Sequence, residues 1–354
     1  MSESKRRTSV KRFFLSLLFA AGISMALAFL AGLLLKQIDG NVQIRQEEFY
    51  LFAVISALVI FLLTLHPANR PLRFFKNIGR ILLLVLLTGL VWAWAFLWVG
   101  QDALLYPPVN TDIRAEEALK NTAQAEAITV TGPDGQGYQG WFLKNGPEKA
   151  GLVLYFGGNS EESAARAQAM LEPGNQQLLA GYHFMMLDYP GTGQSLGTRS
   201  EESILKMARA AWDYAAGRAE VNPDQIVLMG WSLGTGTAVR LAGEKHPAGL
   251  ILFAPYYSGG ELTTSFVELL LNARVPVPLP IRNPYRSDHH AKSVQSPALV
   301  VAARDDALVP YGQSQRLAAL FPSAQLVSLE TGGHGAMWRD QASILAVQAF
   351  LTGL

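Results

Sequence analysis

The distribution of apolar positions divides the chain near residue 100. Before that point lie three runs without a charged residue, 13–35, 49–65 and 81–99. About 20 apolar residues span a bilayer as a helix, so the pattern predicts three transmembrane helices in a segment 1–100. A signal peptide is the competing reading of the first run, because a basic head precedes it and Ala26-Leu27-Ala28 offers a cleavage site. Its length and the two runs that follow favour a retained helix. Basic residues crowd the tail (Lys5, Arg6, Arg7, Lys11, Arg12) and the second loop (Arg70, Arg73, Lys76, Arg80). By the positive-inside rule both are cytoplasmic, and three crossings put everything after Gly100 on the periplasmic or extracellular side. The expected location is therefore a bacterial inner membrane.

After residue 100 the period changes. Tyr106-Pro107-Pro108 reads as a stiff exit, and 111–126 as a short helix. Ala127–Thr131 and Tyr138–Leu143 alternate about Gly132-Pro133-Asp134-Gly135, which predicts a hairpin. Runs of buried-strand type follow at 151–156, 183–188, 226–230, 250–254, 298–302 and 325–329. Between them are helical patterns near 160–180, 200–216, 233–245, 312–320 and 336–352. Alternating strands and helices predict an α/β fold, a mostly parallel sheet with helices on both faces, over 101–354. One stretch breaks the rhythm. Residues 256–296 hold a helical run and the Pro-rich Val275-Pro276-Val277-Pro278-Leu279-Pro280, too long for a plain connection, and read as a cap. Phe266, Leu269, Leu270 and Leu271 could line a substrate entrance or pack on the core.

Composition narrows the chemistry. The net charge of +1 and the absence of a basic, aromatic-rich stretch give no reason to expect nucleic acid. With no cysteine, thiolate metal sites, disulfides and cysteine nucleophiles are excluded.

The candidate chemistry centres on Gly230-Trp231-Ser232-Leu233-Gly234, which joins a predicted strand directly to a predicted helix. A sharp strand-to-helix turn holds a serine hydroxyl clear of the backbone, and the amide of Leu233 then lies at a helix N-terminus. The same spacing recurs at Gly193-Gln194-Ser195-Leu196-Gly197, but Pro190, Gly191 and Gly193 separate Ser195 from its strand, and the next helix starts at a new cap, Ser200. Ser232 is the better nucleophile. A serine needs a base, and the base needs an acid to orient it. His334, in Gly332-Gly333-His334-Gly335, follows one predicted strand; Asp305 and Asp306 follow another, and position alone does not choose between them. The other histidines have structural settings. Tyr155-Phe156-Gly157-Gly158-Asn159 ends a strand where amides could receive an oxyanion, and Gly158 and Leu233 are the candidate donors.

From about residue 102 these motifs resemble the α/β-hydrolases grouped with serine aminopeptidase-like enzymes. The residues that carry the likeness are Gly-Trp-Ser-Leu-Gly, Asp188-Tyr189-Pro190-Gly191-Thr192-Gly193-Gln194-Ser195, Asp306 four residues before Pro310, and Gly-Gly-His. Leu104-Leu105-Tyr106-Pro107-Pro108 after an apolar run is similar to the membrane-anchored ABHD-type branch. The resemblance implies an α/β-hydrolase fold with Ser232 as nucleophile, His334 as base and Asp306, not Asp305, as acid. Phe156 stands where relatives usually carry His, and Ala303 where they carry Gly. The expectation is a membrane-anchored serine hydrolase acting on a small-molecule or lipid ester or thioester, with no cofactor and no metal. The alternatives are a peptidase or amidase using the same residues, and a noncatalytic interaction module.

Overall fold

The computed structural model describes residues 105–354 apart from 134, 180 and 275–280, together with scattered helical positions between 83 and 102. The chain divides into two compact units, Met1–Ala103 and Leu104–Leu354. The expected spans 13–35 and 49–65 lie outside the described residues, as do parts of 81–99. Where 81–99 is described it is helical, with Leu83, Leu86, Leu90 and Trp94 exposed at spacings of three and four. Among the described residues no helix is long and apolar enough to cross a membrane.

The second unit begins with α1 (Ile113–Lys120), which Asp112 caps by accepting from the amides of Arg114 and Ala115. The helix expected over 111–126 stops at Lys120 because Ala125 already pairs with Leu143 in the hairpin of β1 (Ala125–Thr131) and β2 (Gly137–Leu143). β3 (Ala150–Phe156) follows. The single helix expected near 160–180 is two, α2 (Ser163–Met170) and α3 (Pro173–Leu178). Pro173 disfavours helical geometry at Glu172, so the chain breaks there and restarts with proline in the first turn. Next come β4 (His183–Leu187), α4 (Glu201–Ala216), β5 (Val221–Trp231), α5 (Leu233–Lys245) and β6 (Gly249–Phe253). The expected cap contains α6 (Gly259–Leu271), α7 (Ser287–His290) and a 3-10 turn at Ala291–Ser293. The chain closes with β7 (Ala298–Ala303), α8 (Tyr311–Ala318), β8 (Ala324–Leu329) and α9 (Gln341–Thr352). α9 starts later than its pattern suggests because Asp340 caps it; Met337–Arg339 before it is a 3-10 turn.

The strands form one eight-stranded sheet in the order β1-β2-β4-β3-β5-β6-β7-β8. β1 and β2 are antiparallel to their neighbours, and β4, β3, β5, β6, β7 and β8 run parallel to one another. The inner strands β3, β4, β6 and β7 are buried along their whole length, as strands covered on both faces must be. The two-residue repeat divides them between two cores. Ile226 and Leu228 of β5 point into the core shared with α4 and α5, and Val227 and Met229 into the core shared with α2 and α9. This is the doubly covered sheet that the pattern predicts.

The apolar residues of α6 whose side chains are described differ in burial. Leu262 and Val267 are buried and Phe266 packs on the core, whereas Leu269 and Leu271 are exposed. A groove of about 360 Å³ lies between this segment and the loop after β7, bordered by Ser265, Leu269, Asn272, Arg274, Ala307 and Pro310.

Candidate active site

The parallel strands deliver their C-terminal ends to one edge of the sheet, and the candidate residues lie on the loops that leave it. β5 ends at Trp231 and α5 begins at Leu233, so a single residue, Ser232, makes the turn. Its backbone sits at φ 50°, ψ −117°, a region that a side chain ordinarily avoids. The turn is held from both sides: the Ser232 amide donates to the Phe253 carbonyl at 2.9 Å, and the Ser232 carbonyl accepts from the Thr235 hydroxyl at 2.6 Å. The flanking glycines have a steric reason. A Cβ on Gly230 would lie 2.8 Å from the Thr235 Cα, and one on Gly234 would lie 2.1 Å from the Phe156 carbonyl oxygen. As the first residue of α5, Leu233 has no intrahelical acceptor for its N–H.

The second copy of the motif is built otherwise. Ser195 lies in the loop between β4 and α4, and its Oγ accepts from the Gln139 amide of β2 at 2.9 Å. Asp188 organises the same loop, accepting from the amides of Ser163 at 2.7 Å and Gln194 at 3.1 Å. Burial pushes the Asp188 carboxyl up to about 6, against those amides, which favour its charged form.

His334 and Asp306 meet across the loops after β8 and β7, with Nδ1 of His334 at 2.8 Å from Oδ2 of Asp306. Asp306 is buried, and its other oxygen accepts from the amides of Leu308 and Val309 at 2.8 and 2.9 Å. An ionised carboxylate only accepts, so the imidazole proton belongs on Nδ1 and leaves Nε2 as the basic nitrogen. No hydrogen bond joins Ser232 to His334 in this structure. The imidazole stacks on Trp231, the residue before Ser232, with ring centroids 5.5 Å apart and planes 28° apart. Such contacts are commonly loose without substrate.

Asp305, the competing acid, holds the histidine loop rather than the ring. Its carboxylate accepts from the amides of Gly333 at 2.8 Å and Gly332 at 3.2 Å, both glycines having positive φ. Nothing in the sequence beyond its adjacency to Asp306 marks this role.

The amide of Gly158, expected to face an oxyanion, is engaged. It donates to Oε2 of Glu161 at 2.8 Å, an oxygen that also accepts from the Tyr155 hydroxyl at 2.6 Å. The other oxygen of Glu161 pairs with Arg166. In this conformation the carboxylate three residues on holds the Gly158 N–H. The remaining described histidines have structural settings: His183 is buried and accepts from the Gly146 amide, His246 is the left-handed C-cap of α5, and His289 and His290 belong to α7. His66 lies outside the described residues.

Residues 148–279 match the serine aminopeptidase S33 family, and 273–353 match the TAP-like protein family. The chain belongs to the α/β-hydrolase superfamily. An uncharacterised protein of Mycobacterium tuberculosis is 29% identical over 261 residues, covering 73% of this chain and 89% of that protein. The lysophosphatidylserine lipase ABHD12 of Macaca fascicularis is 27% identical over 239 residues, covering 64% of this chain and 59% of that one. In fold, the chain is similar to the esterase Pf2001 of Pyrococcus furiosus, with a TM-score of 0.54 at 16% identity over 70% of this chain and 97% of that one.

Proposed function

We propose that this α/β-hydrolase is a serine hydrolase that cleaves a carboxylic ester or thioester through an acyl-enzyme. The observation that carries the reading is Ser232, strained at φ 50° at the start of α5, on the edge to which Asp306 and His334 bring a hydrogen-bonded acid–base pair. Ser232 Oγ attacks the carbonyl carbon while Nε2 of His334 takes its proton. Asp306 holds the ring and stabilises the imidazolium. The proton then passes to the leaving alkoxide or thiolate, and water hydrolyses the acyl-enzyme by the same steps in reverse. The Leu233 amide receives the oxyanion; Gly158 joins it only when Glu161 releases the N–H.

A lipid or other acyl ester is the favoured substrate. The groove beside the Asp306 loop is part apolar, and one relative is named a lysophosphatidylserine lipase. Attachment to a membrane, with the hydrolase domain on its outer side, rests on the apolar runs and basic loops of the first hundred residues. The S33 match favours a second reading, aminopeptidase or amidase activity, which needs the same three side chains.

Fluorophosphonate labelling of the full chain tests the proposal. Wild type should label and Ser232→Ala should not; labelling that persists in the variant rejects Ser232, and a wild type that never labels favours a noncatalytic module. Turnover of chromogenic esters of graded chain length, set beside aminoacyl amides, separates esterase from peptidase.

A further inference from the structure

Trp231 lies between the Ser232 turn, the His334 ring and the loop after β3. It immediately precedes Ser232, and its indole stacks on the His334 imidazole at 5.5 Å. A Cβ on Gly158 would lie 3.1 Å from Cε3 of the same indole and 3.3 Å from Cζ3. The ring therefore fills the space between the histidine loop and the loop after β3. It is itself fixed: Trp231 pairs with Phe253 in the parallel register of β5 and β6, and Trp338 stacks on Phe253 at 4.2 Å while meeting Trp231 edge-on. The Arg166 guanidinium lies 5.7 Å from the Trp231 ring centroid, 5.0 Å from that of Trp338 and 5.5 Å from that of Tyr155, held there by Glu161.

We propose that Trp231 is a positioning residue for His334, and that its π-face sets the imidazole plane and favours the imidazolium formed during proton transfer. The inference rests on the serine-hydrolase reading above. Asp306 restrains the imidazole at a single atom, about which the ring can still swing. Asp305 fixes the Gly332–Gly333 backbone but bonds to no atom of the ring, so the side-chain torsions of His334 are left to the ring's own neighbours. A flat indole against the imidazole removes the remaining freedom. An indole face also attracts a cation within about 6 Å of its centroid, and His334 gains a positive charge as it takes the serine proton. The interaction is thus stronger in the transition state than in the resting enzyme, and its loss should appear in kcat rather than KM.

The test compares Trp231→Phe, which keeps an aromatic face, with Trp231→Met, which keeps bulk without one. Both are made in the full chain, with melting temperature recorded. The Met variant should lose roughly 10- to 100-fold in kcat with KM nearly unchanged, and the Phe variant should stay within a few-fold of wild type. Equal losses in the two variants, or a Met variant as fast as wild type, overturn the proposal. Should the Met variant fail to fold, wild-type protein decides by NMR. The ring protons of His334, assigned by their loss in His334→Gln, must lie upfield because they face an indole; resonances at ordinary positions overturn the stack. Fluorophosphonate labelling of wild type separates the two readings. A chain that labels but shows no aromatic dependence loses only the role of Trp231. A chain that never labels loses the hydrolase reading, and the role of Trp231 with it.

Discussion

The chain contains the same five-residue spacing twice, and the two copies do different work. Around Ser232 the glycines are sterically required, because strand and helix pass so close that Cβ atoms at Gly230 and Gly234 would strike backbone. Around Ser195 there is no such junction. Gly193 and Gly197 serve positive φ, and the serine hydroxyl is spent on a neighbouring strand's amide. A hydroxyl already committed to a structural hydrogen bond is a poor candidate for attack, whereas one held on a strained turn at the sheet edge that also carries the Asp306–His334 pair is a good one. The motif alone therefore says little, and its junction with a strand and a helix says most.

Breaking each copy should separate them. Ser232→Ala is expected to abolish turnover, a loss of at least about 10³-fold, with little change in stability. Ser195→Ala should leave kcat within twofold and lower stability by about 1 kcal/mol, because the Gln139 amide loses its acceptor. Urea denaturation and ester turnover on the same preparations read both. If Ser195→Ala proves the inactive variant, the assignment is reversed.

The adjacent acids sharpen the same contrast. Asp306→Asn should cost roughly 10³- to 10⁴-fold in kcat, since an amide neither holds the required tautomer nor stabilises the imidazolium. Asp305→Ala should cost only about three- to tenfold, because its carboxylate steadies the Gly332–Gly333 backbone from an exposed position where water competes for those amides. Steady-state kinetics of the two variants checks the order. An Asp305 variant more damaged than the Asp306 variant would exchange their roles.

Much of this was legible in the sequence because it depends on periodicity. Buried parallel strands announce themselves as short apolar runs, and the strand ends put Ser232, Asp306 and His334 on one edge without any coordinate. What was not legible depends on side chains reaching across the chain. Glu161 capturing the Gly158 amide, Asp305 gripping the histidine loop and Trp231 under the imidazole carry no spacing signature. Local chemistry accounts for the helix errors. Pro173 divides the 160–180 pattern, and hairpin pairing at Ala125 overrides the helical tendency that runs past Lys120. The apolar stretch of α6 meets both settings that the sequence left open, since Phe266 packs on the core while Leu269 borders the groove.

A pH-dependent effect concerns the loop around Ser195, where a titratable group holds the backbone. Asp188 is buried with its carboxyl raised to about 6 from 3.8. A carboxylate whose folded value exceeds its unfolded value binds its proton more tightly in the folded state. Its stabilising contribution is therefore complete below about 3.8 and is lost as pH rises through about 6. At higher pH the group is ionised in both states and the cost is constant. Over that window the shift corresponds to at most about 3 kcal/mol, at 1.36 kcal/mol per unit. Asp188→Asn cannot ionise, yet keeps one oxygen to accept from Ser163 or Gln194. The stability of wild type relative to this variant should therefore decline between pH 4 and 6 and level off above it, as read by urea midpoints across that range. The elbow at Ser232 holds its turn with backbone carbonyls and a threonine hydroxyl, which do not titrate in this window, so Ser232→Ala should show the wild-type slope. Parallel curves for wild type and Asp188→Asn would mean that water reaches the carboxylate and that burial does not govern this loop.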